Sequence, residues 1–551
     1  MKYTHAIAYT STLLLLNACG GGSSQTPTAS TPSTTLTTLT PGSIPITSIN
    51  PFLDSDGDGV FDRTDAFPND ATEHVDTDRD GIGNNADLDD DGDGFSDTLE
   101  LSHGTAPLVG QSQPRALKIA IDTPNKTFTI PINTNETYLY NVDCDSDGSY
   151  EYKNQAGQVT CKYDVAGVIE TINIVGVFPQ IYFNNQREKS FITEVKQWGT
   201  NPWTSMSHAF HGCDNLEITA VDTPDLRHVT NMSYMFTGAS KLTSDLNDWD
   251  VSKIVDMTAL FKDATSFNGI IEDWDVGKVA IMHQMFAGAK TFNQDIPSNT
   301  KNVVTMQHMF NGATSFNRDV RLSVTKLATV QSMFHNAHAF NGIVDIYTDT
   351  LIDVQSMFHN AKSFNRQIRL NLKNVKHMSL MFGGALNFTG FGNSLNTWDT
   401  RSVTSMRGLF LGAVKFNASL DKWDVSNVTD MRSMFHGASK FNQDLPWDVK
   451  KVKNMRGMFI HATVFNGNIS SWRTGEVTDM GLMFKSAQRF NQDISTVSTQ
   501  WKVSKVTDMQ QMFTDAQSFS NQDLSNWDVT NVANHNLFFL AAGQGNTAPI
   551  W

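Results

Sequence analysis

Phenylalanine recurs at regular intervals through the second half of the chain. From residue 204 onward there are 14 such positions, usually preceded by Met and mostly 24 to 26 residues apart, with longer intervals of 28 and 29 residues before Phe410 and Phe513. In 11 of these units a second Phe follows six residues later, and in nine of the 11 Asn comes next. This period predicts stacked repeats with one shared apolar core, because so short a unit cannot bury its apolar face alone. The recurring positions are Phe210, Phe236, Phe261, Phe286, Phe310, Phe334, Phe358, Phe382, Phe410, Phe435, Phe459, Phe484, Phe513 and Phe538.

Apolar residues inside one unit follow a helical spacing. The example is the set Met431, Met434, Phe435 and Ala438. Their i, i+3, i+4, i+7 spacing predicts one face of a short helix, which Thr429 or Asp430 can cap, and a short strand is expected between Phe441 and Leu445. We therefore predict an α/β solenoid of about 14 leucine-rich-like repeats. The recurring Asn is expected to form a ladder whose side-chain amides satisfy backbone groups of the adjacent turn, or else a polar surface column.

The first unit resembles the core of BspA-type leucine-rich repeats through Ala209, Phe210, Cys213, Leu216 and Ile218. Units with the pattern Trp-Asp-Val-Ser-x-Val-Thr-x-Met resemble the variant in bacterial BspA-family surface lipoproteins. The resemblance spans about 198–540, with departures at 297–372, where the Trp-Asp-Val element is missing. It implies adhesion to host or matrix proteins, or to other cells. Cys213 is then a small core residue and not a nucleophile.

Three acidic stretches share one loop pattern without gaps. Each has side-chain oxygens at loop positions 1, 3, 5, 9 and 12, and an apolar residue at position 7 whose backbone carbonyl can bind a cation. Ca²⁺ prefers about six to eight oxygen ligands, so the pattern predicts three calcium loops, the alternative being a disordered acidic linker. The predicted ligands are Asp54, Asp56, Asp58, Val60, Asp62 and Asp65; Asp76, Asp78, Asp80, Ile82, Asn84 and Asp87; and Asp89, Asp91, Asp93, Phe95, Asp97 and Glu100.

The acidic segment also resembles thrombospondin type-3 repeats, including the linker at 65–70 with the sequence Asp-Ala-Phe-Pro-Asn-Asp. The resemblance implies a chain wrapped around a row of calcium ions, in which the metal stiffens a spacer. An EF-hand is the alternative for the loop spacing. Long flanking helices are not apparent, however, and Pro68 opposes them.

A small β module is predicted between the acidic segment and the repeats. Strands are expected at 128–132 and 169–174, with Asp-rich and Ala-Gly turns, in an order that resembles a PKD-like β-sandwich. Cys144 and Cys161 lie on neighbouring predicted strands, and we expect them to form a disulfide if the protein is exported. The rival interpretation makes Asp143, Asp145 and Asp147 a fourth calcium site, without the downstream ligands of the other three loops.

The amino terminus has the pattern of an export signal. A basic start at Lys2 precedes a short apolar core at 6–16, and the small residue before Cys19 resembles the bacterial lipobox. The resemblance implies cleavage before Cys19, lipidation of its thiol and, given Gly20, sorting to the outer membrane. A plain secretory signal is the alternative. The Ser/Thr/Pro-rich stretch that follows is expected to be a disordered tether.

Charge is concentrated in one part of the chain. The net charge of the 551 residues is −16, and 17 acidic residues against two basic ones fall between Asp54 and Glu100. No basic stripe is present that could displace counterions from nucleic-acid phosphates, which excludes nonspecific nucleic-acid binding. The predicted parts are a signal peptide at 1–18, a tether at 19–50, calcium repeats at 51–104, the β module at 105–190 and the repeat solenoid at 191–551.

No catalytic constellation stands out in the sequence. Histidines follow the recurring Phe at four positions, and His335 and His359 fall in consecutive repeats, where solvated residues are favoured over a metal or pH-sensing ladder. We predict a non-enzymatic, lipid-anchored surface protein that binds an extracellular protein, matrix or cell-surface ligand. The alternatives are a structural envelope spacer and an extracellular glycan-processing enzyme with its chemistry in the β module.

Overall fold

The computed structural model describes residues 52–93, 95–110, 112–392, 394–495 and 500–551. The predicted signal peptide, the predicted tether and Cys19, the predicted lipidation site, lie outside these residues, as does Gly94 of the third acidic loop. The chain divides into two units, Met1–Ala71 and Thr72–Trp551. The first acidic loop belongs to the first unit, and the other two belong to the second.

Regular secondary structure is sparse. Among the described residues, one α-helix, α1 (Asp97–His103), and two 3-10 segments, Arg187–Ser190 and Ser394–Thr397, are present. No helix in this part of the chain has the length and apolar character needed to cross a bilayer. The strands are β1 (Leu117–Asp122), β2 (Thr127–Thr129), β3 (Leu139–Asp143), β4 (Tyr152–Gln155), β5 (Thr160–Lys162), β6 (Ile169–Val177), β7 (Ile192–Gln197), β8 (Glu217–Ile218), β9 (Val320–Arg321), β10 (Val344–Ile346) and β11 (Ile368–Leu370).

The β module is built on a six-stranded sheet with the order β4-β3-β6-β1-β7-β8. β1 lies antiparallel to β6, with Leu117 opposite Ile174, and alternate residues of both strands face a core that excludes water. β2 and β5 form a separate two-stranded sheet. β7 pairs in parallel with β8, which lies in the first repeat, so the sheet of the module continues into the repeat array.

Successive repeats are joined by backbone hydrogen bonds. Parallel bridges link equivalent residues of neighbouring repeats in an unbroken series from Asn231 to Asn534. In a representative repeat, alternate N–H groups donate to carbonyls of the next repeat, at N···O distances of 2.7–3.0 Å: Met431 to Asn454, Ser433 to Arg456, Phe435 to Met458 and Gly437 to Ile460. Of the residues between them, Met434 and His436 donate to the carbonyls three positions back, and the N–H of Arg432 donates to Asp430 Oδ1. The backbone of each turn is thus satisfied without a helix.

The predicted α/β solenoid of about 14 leucine-rich-like repeats is wrong. The repeat region is β-rich, made of short strands, parallel bridges and turns, and no α-helix occurs in its described residues. In 13 of the 14 turns two residues lie in the left-handed region, two positions before and two positions after the recurring Phe, as at Ser433 (φ 53°) and Gly437 (φ 73°). In the last turn the corresponding residues, Leu537 and Ala541, flank Phe539. An α-helix needs an uninterrupted right-handed backbone, so these residues replace the helix predicted over 431–438 with consecutive tight turns.

The burial predicted for the recurring phenylalanines is confirmed. Thirteen of the 14 are completely inaccessible to solvent, and Phe538 at the end of the array is 6% exposed. Their rings stack from one repeat to the next, for example Phe310 on Phe334 with centroids 5.6 Å apart and planes within 3°. Each repeat therefore covers the apolar face of its neighbour, which is the source of stability in a repeat array.

The predicted asparagine ladder is also confirmed. The side-chain Oδ1 of each Asn accepts the backbone N–H of the equivalent residue one repeat later, as from Asn317 to Asn293 (2.9 Å) and from Asn341 to Asn317 (2.7 Å). The ladder continues from Asn442 to Asn417 and from Asn466 to Asn442. A parallel set of bonds runs from tryptophan Nε1 atoms to carbonyls of the preceding repeat, as from Trp447 to Leu420 (3.0 Å).

Candidate functional site

The first acidic loop gathers three carboxylates. Oxygens of Asp54, Asp56 and Asp58 lie within 4.8 Å of one another, and Oδ2 of Asp56 is buried without a hydrogen-bond partner. The loop is closed at position 9, where Asp62 Oδ1 accepts the N–H of Ser55 at 2.8 Å. An anionic oxygen with no donor is the feature that a bound cation would satisfy.

The second acidic loop repeats this geometry within the other unit. Oxygens of Asp76, Asp78 and Asp80 lie within 4.8 Å of one another. Asn84 Oδ1, at position 9, accepts the N–H of Thr77 at 3.0 Å, and the N–H of Ile82 donates to Asp80 Oδ1 at 2.8 Å. The position-5 carboxylate therefore holds the backbone of position 7, as it does in the first loop, where Val60 donates to Asp58 at 2.7 Å.

The third acidic loop is the most buried. Oxygens of Asp89, Asp91 and Asp93 cluster within 4.8 Å, and Asp97 Oδ1 accepts the N–H of Asp90 at 3.0 Å. The N–H of the predicted position-7 residue, Phe95, donates to Asp93 Oδ1 at 3.0 Å.

Glu100, the last residue of the third loop, is completely buried, and neither of its carboxylate oxygens has a hydrogen-bond partner. Burial raises the pKa of Glu100, and the charges of Asp91 and Asp93 raise it further. Oδ2 of Asp91 and Oδ2 of Asp93 are likewise buried without partners. Asp91 and Asp93 belong to the group of carboxylates within 4.8 Å of one another, and their unpartnered oxygens fit a hard divalent cation.

In none of the three loops does the position-12 residue belong to the carboxylate group formed by positions 1, 3 and 5. Asp65 Oδ1 accepts the N–H of Phe67 at 2.8 Å, and Asp87 Oδ1 accepts the N–H groups of Leu88 at 2.6 Å and Asp89 at 3.0 Å. Both carboxylates shape the turn that follows their loop. Position 12 therefore differs among the three loops, because only the longer Glu100 is a buried carboxylate without a donor.

The β module contains a fourth group of carboxylates. Cys144 and Cys161 form a disulfide with 5.7 Å between their Cα atoms. Beside it, oxygens of Asp143, Asp145 and Asp147 lie within 4.8 Å of one another and of a carboxylate oxygen of Glu151. Sequence reasoning missed Glu151. The sequence feature that could have revealed Glu151 is its place eight residues after Asp143, which corresponds to position 9 of the loop pattern.

At 297–372, where the Trp-Asp-Val element is missing, the repeat array contains regular β-strands. β9, β10 and β11 form a parallel three-stranded sheet there. Directly after β10, the Tyr347 side chain is 62% exposed and borders two cavities, one of about 320 Å³ that includes Arg369 and one of about 370 Å³ that includes Arg321. Sequence reasoning found the irregular segment but not this surface, which depends on strand pairing.

His335 and His359, for which solvated positions were predicted, are half-buried. The rings of His335 and His359 stack with centroids 4.8 Å apart. Burial, and the proximity of His359 and His308, lower the pKa of His335 to about 4. The pair is therefore neutral at pH 7 and forms part of the packing between repeats.

Comparison with known proteins identifies the repeats. Six overlapping segments match the model of the family described as "Mycoplasma protein of unknown function, DUF285": residues 180–298, 270–370, 297–395, 367–446, 387–496 and 445–550. No curated protein and no solved structure matches the chain. The matched segments cover about two thirds of the chain in tandem, as expected for a repeat protein. The chain therefore belongs to this family of proteins of unknown function.

Proposed function

We propose that this repeat protein is a lipid-anchored surface protein of the BspA kind that binds an extracellular protein, matrix or cell-surface ligand. The tandem repeats present many exposed side chains on one continuous scaffold, an arrangement suited to binding a large partner. In this proposal Cys19 carries the lipid, the anchor is in the outer membrane and residues 19–50 are the tether. The role is adhesive and not catalytic.

The surface around Tyr347 is the observation that carries the proposal. Nearly every aromatic ring of the array is buried, whereas Tyr347 presents most of its surface to solvent. Arg369 and Asp345 form an ion pair beside it, at 2.9 Å between Nη1 and Oδ2, and Arg321 pairs with Asp319 at 2.9 Å. An exposed aromatic side chain surrounded by charged groups is typical of residues that anchor protein interfaces.

The acidic loops are proposed to hold calcium, as in thrombospondin type-3 repeats. The donors are all oxygens, and several are buried without a hydrogen-bond partner, which favours a hard cation over a softer transition metal. Calcium would then stiffen the segment that carries the β module and the repeats.

Binding of the full-length protein to matrix proteins, glycans and cells tests the proposal, with Tyr347→Ala as the variant. Loss of the aromatic anchor should weaken binding by about 2 kcal/mol or more. Val414→Ala is the matched control, because Val414 is 37% exposed elsewhere in the array. If neither the parent protein nor the control binds any of these, the spacer alternative is favoured, and turnover of a glycan by the β module would favour the enzyme.

A further inference from the structure

The loop between β3 and β4 places four acidic side chains together. Asp143 ends β3, and the loop returns to β4 through a turn at Gly148. One carboxylate oxygen from each residue lies within 4.8 Å of the other three. The four residues are Asp143, Asp145, Asp147 and Glu151. Four negative charges at this separation repel one another unless a cation lies among them.

Asp143 supplies the observation that points to a ligand. Its side chain is 1% exposed, and Oδ2 accepts hydrogen bonds from the N–H of Gly148 (3.1 Å) and from Nδ2 of Asn173 (2.9 Å). Oδ1 is equally buried but has no hydrogen-bond partner. Within the described residues, Asp143 has no ion pair with a basic side chain. Leaving a buried anionic oxygen unpaired is costly, and a bound cation would remove that cost.

A disulfide and two hydrogen bonds of Cys144 hold the loop in shape. Cys144 is joined to Cys161 of β5, and its N–H donates to Glu151 Oε2 at 2.7 Å. The hydroxyl of Tyr163 donates to the Cys144 carbonyl at 3.0 Å. The disulfide therefore fixes the residue that orients Glu151, so this carboxylate is positioned before a ligand arrives.

We propose that residues 143–151 of the β module bind one calcium ion, separate from the three acidic loops nearer the amino terminus. Asp143, Asp145, Asp147 and Glu151 provide carboxylate ligands, and the position-7 carbonyl of Ser149 provides a backbone oxygen. An all-oxygen donor set with several carboxylates selects Ca²⁺ over metals that prefer nitrogen or sulfur. The site does not depend on the proposed binding function.

Terbium, a luminescent substitute for calcium, tests the site in the full-length protein. Tyr150 lies within the loop, whereas residues 51–104, which contain the other three loops, have no Tyr or Trp. Excitation of tyrosine should therefore produce terbium emission that calcium displaces and that Tyr150→Phe strongly reduces. Because the Tyr163 hydroxyl also reaches the loop, the result that would overturn the proposal is emission that is unchanged in a variant with both Tyr150→Phe and Tyr163→Phe.

Ion counting by equilibrium dialysis with ⁴⁵Ca gives the second readout. The double variant Asp145→Asn, Asp147→Asn should bind one calcium ion fewer per chain than the parent protein. Asp164→Asn, which changes an exposed acidic residue in another turn of the module, should retain the full number. An unchanged number in the double variant contradicts the proposal. In EDTA the double variant should melt at or above the temperature of the parent, because removing two charges relieves repulsion, and this shows that it is folded.

Reduction of the Cys144–Cys161 disulfide provides a third measurement. It should weaken calcium binding at this site about tenfold or more, because Glu151 loses its fixed orientation. The Tyr150-dependent terbium emission reports this change without interference from the other loops. Equal affinity before and after reduction would show that the disulfide has no part in the site.

Discussion

Replacing Phe435 with Ala should destabilise the repeat array strongly. Phe435 is completely buried, and its ring lies 4.0 Å from that of Phe441 and 5.6 and 5.5 Å from those of Phe410 and Phe459, centroid to centroid. Truncation of a buried Phe to Ala costs about 3–5 kcal/mol. We expect about 4–5 kcal/mol, because the backbone hydrogen bonds between repeats hold the neighbouring rings apart and limit collapse of the cavity.

Urea unfolding of the full-length protein, followed by tryptophan fluorescence, measures this loss. Trp447 lies 6.4 Å from Phe435 and reports on the affected repeat. Phe391→Ala is the control, because Phe391 is 42% exposed and its truncation should change the free energy of unfolding by no more than about 0.5 kcal/mol. A loss below about 1 kcal/mol for Phe435→Ala, or equal losses for both variants, would refute the idea that stacked rings stabilise the array.

Three further outcomes are expected. EDTA should make the third acidic loop sensitive to protease, because Asp91 is left with a buried unpaired oxygen, and added Ca²⁺ should restore resistance. Gly342→Ala should cost about 1–3 kcal/mol, since its Cβ would lie 2.1 Å from a backbone carbonyl oxygen, whereas Gly475→Ala, with no atom nearer than 4.0 Å, should not destabilise. His335 should contribute roughly 1–2 kcal/mol to a fall in the free energy of unfolding as pH drops from 6.5 to about 4, because its lowered pKa keeps it neutral while the unfolded chain protonates. Urea titrations at several pH values check this, and the slope should be smaller in His335→Gln.

The sequence was sufficient to predict which side chains form the core of the array. Phe334 and Phe340 repeat at a fixed offset of six residues across intervals of different length, so they had to occupy equivalent places in every turn. Burial follows because no single unit can cover two such rings. The Asn after the second Phe repeats in register, which predicted a ladder with a polar surface column as the alternative, and the N–H of Asn341 decides for the ladder by donating to Asn317 Oδ1.

The acidic loops were predictable for a different reason. Their geometry is local: in the first loop, the N–H of Ser55 reaches Asp62 seven residues away without help from the rest of the chain. Tyr347 and the buried oxygen of Asp143 depend instead on residues far away in sequence. Tyr347 directly follows β10, which pairs with β9 and β11 of the neighbouring repeats, and Asp143 Oδ2 accepts a hydrogen bond from Asn173 of β6. The spacing of residues along the chain therefore could not predict these contacts.

The helix prediction failed because two backbone conformations share one side-chain pattern. Successive tight turns return the chain to the same face every three or four residues, so Met431, Met434 and Phe435 point inward as they would on a helix. The distinction lies in the residue two positions after the recurring Phe, where Gly437 and Asn336 have φ values of 73° and 57°. Gly, Asn or Asp at this position in most repeats favours the left-handed region, and Gly is poor in the middle of a helix. The Gly, Asn or Asp two positions after the recurring Phe therefore indicates the backbone conformation, whereas the apolar residues indicate only which face is buried.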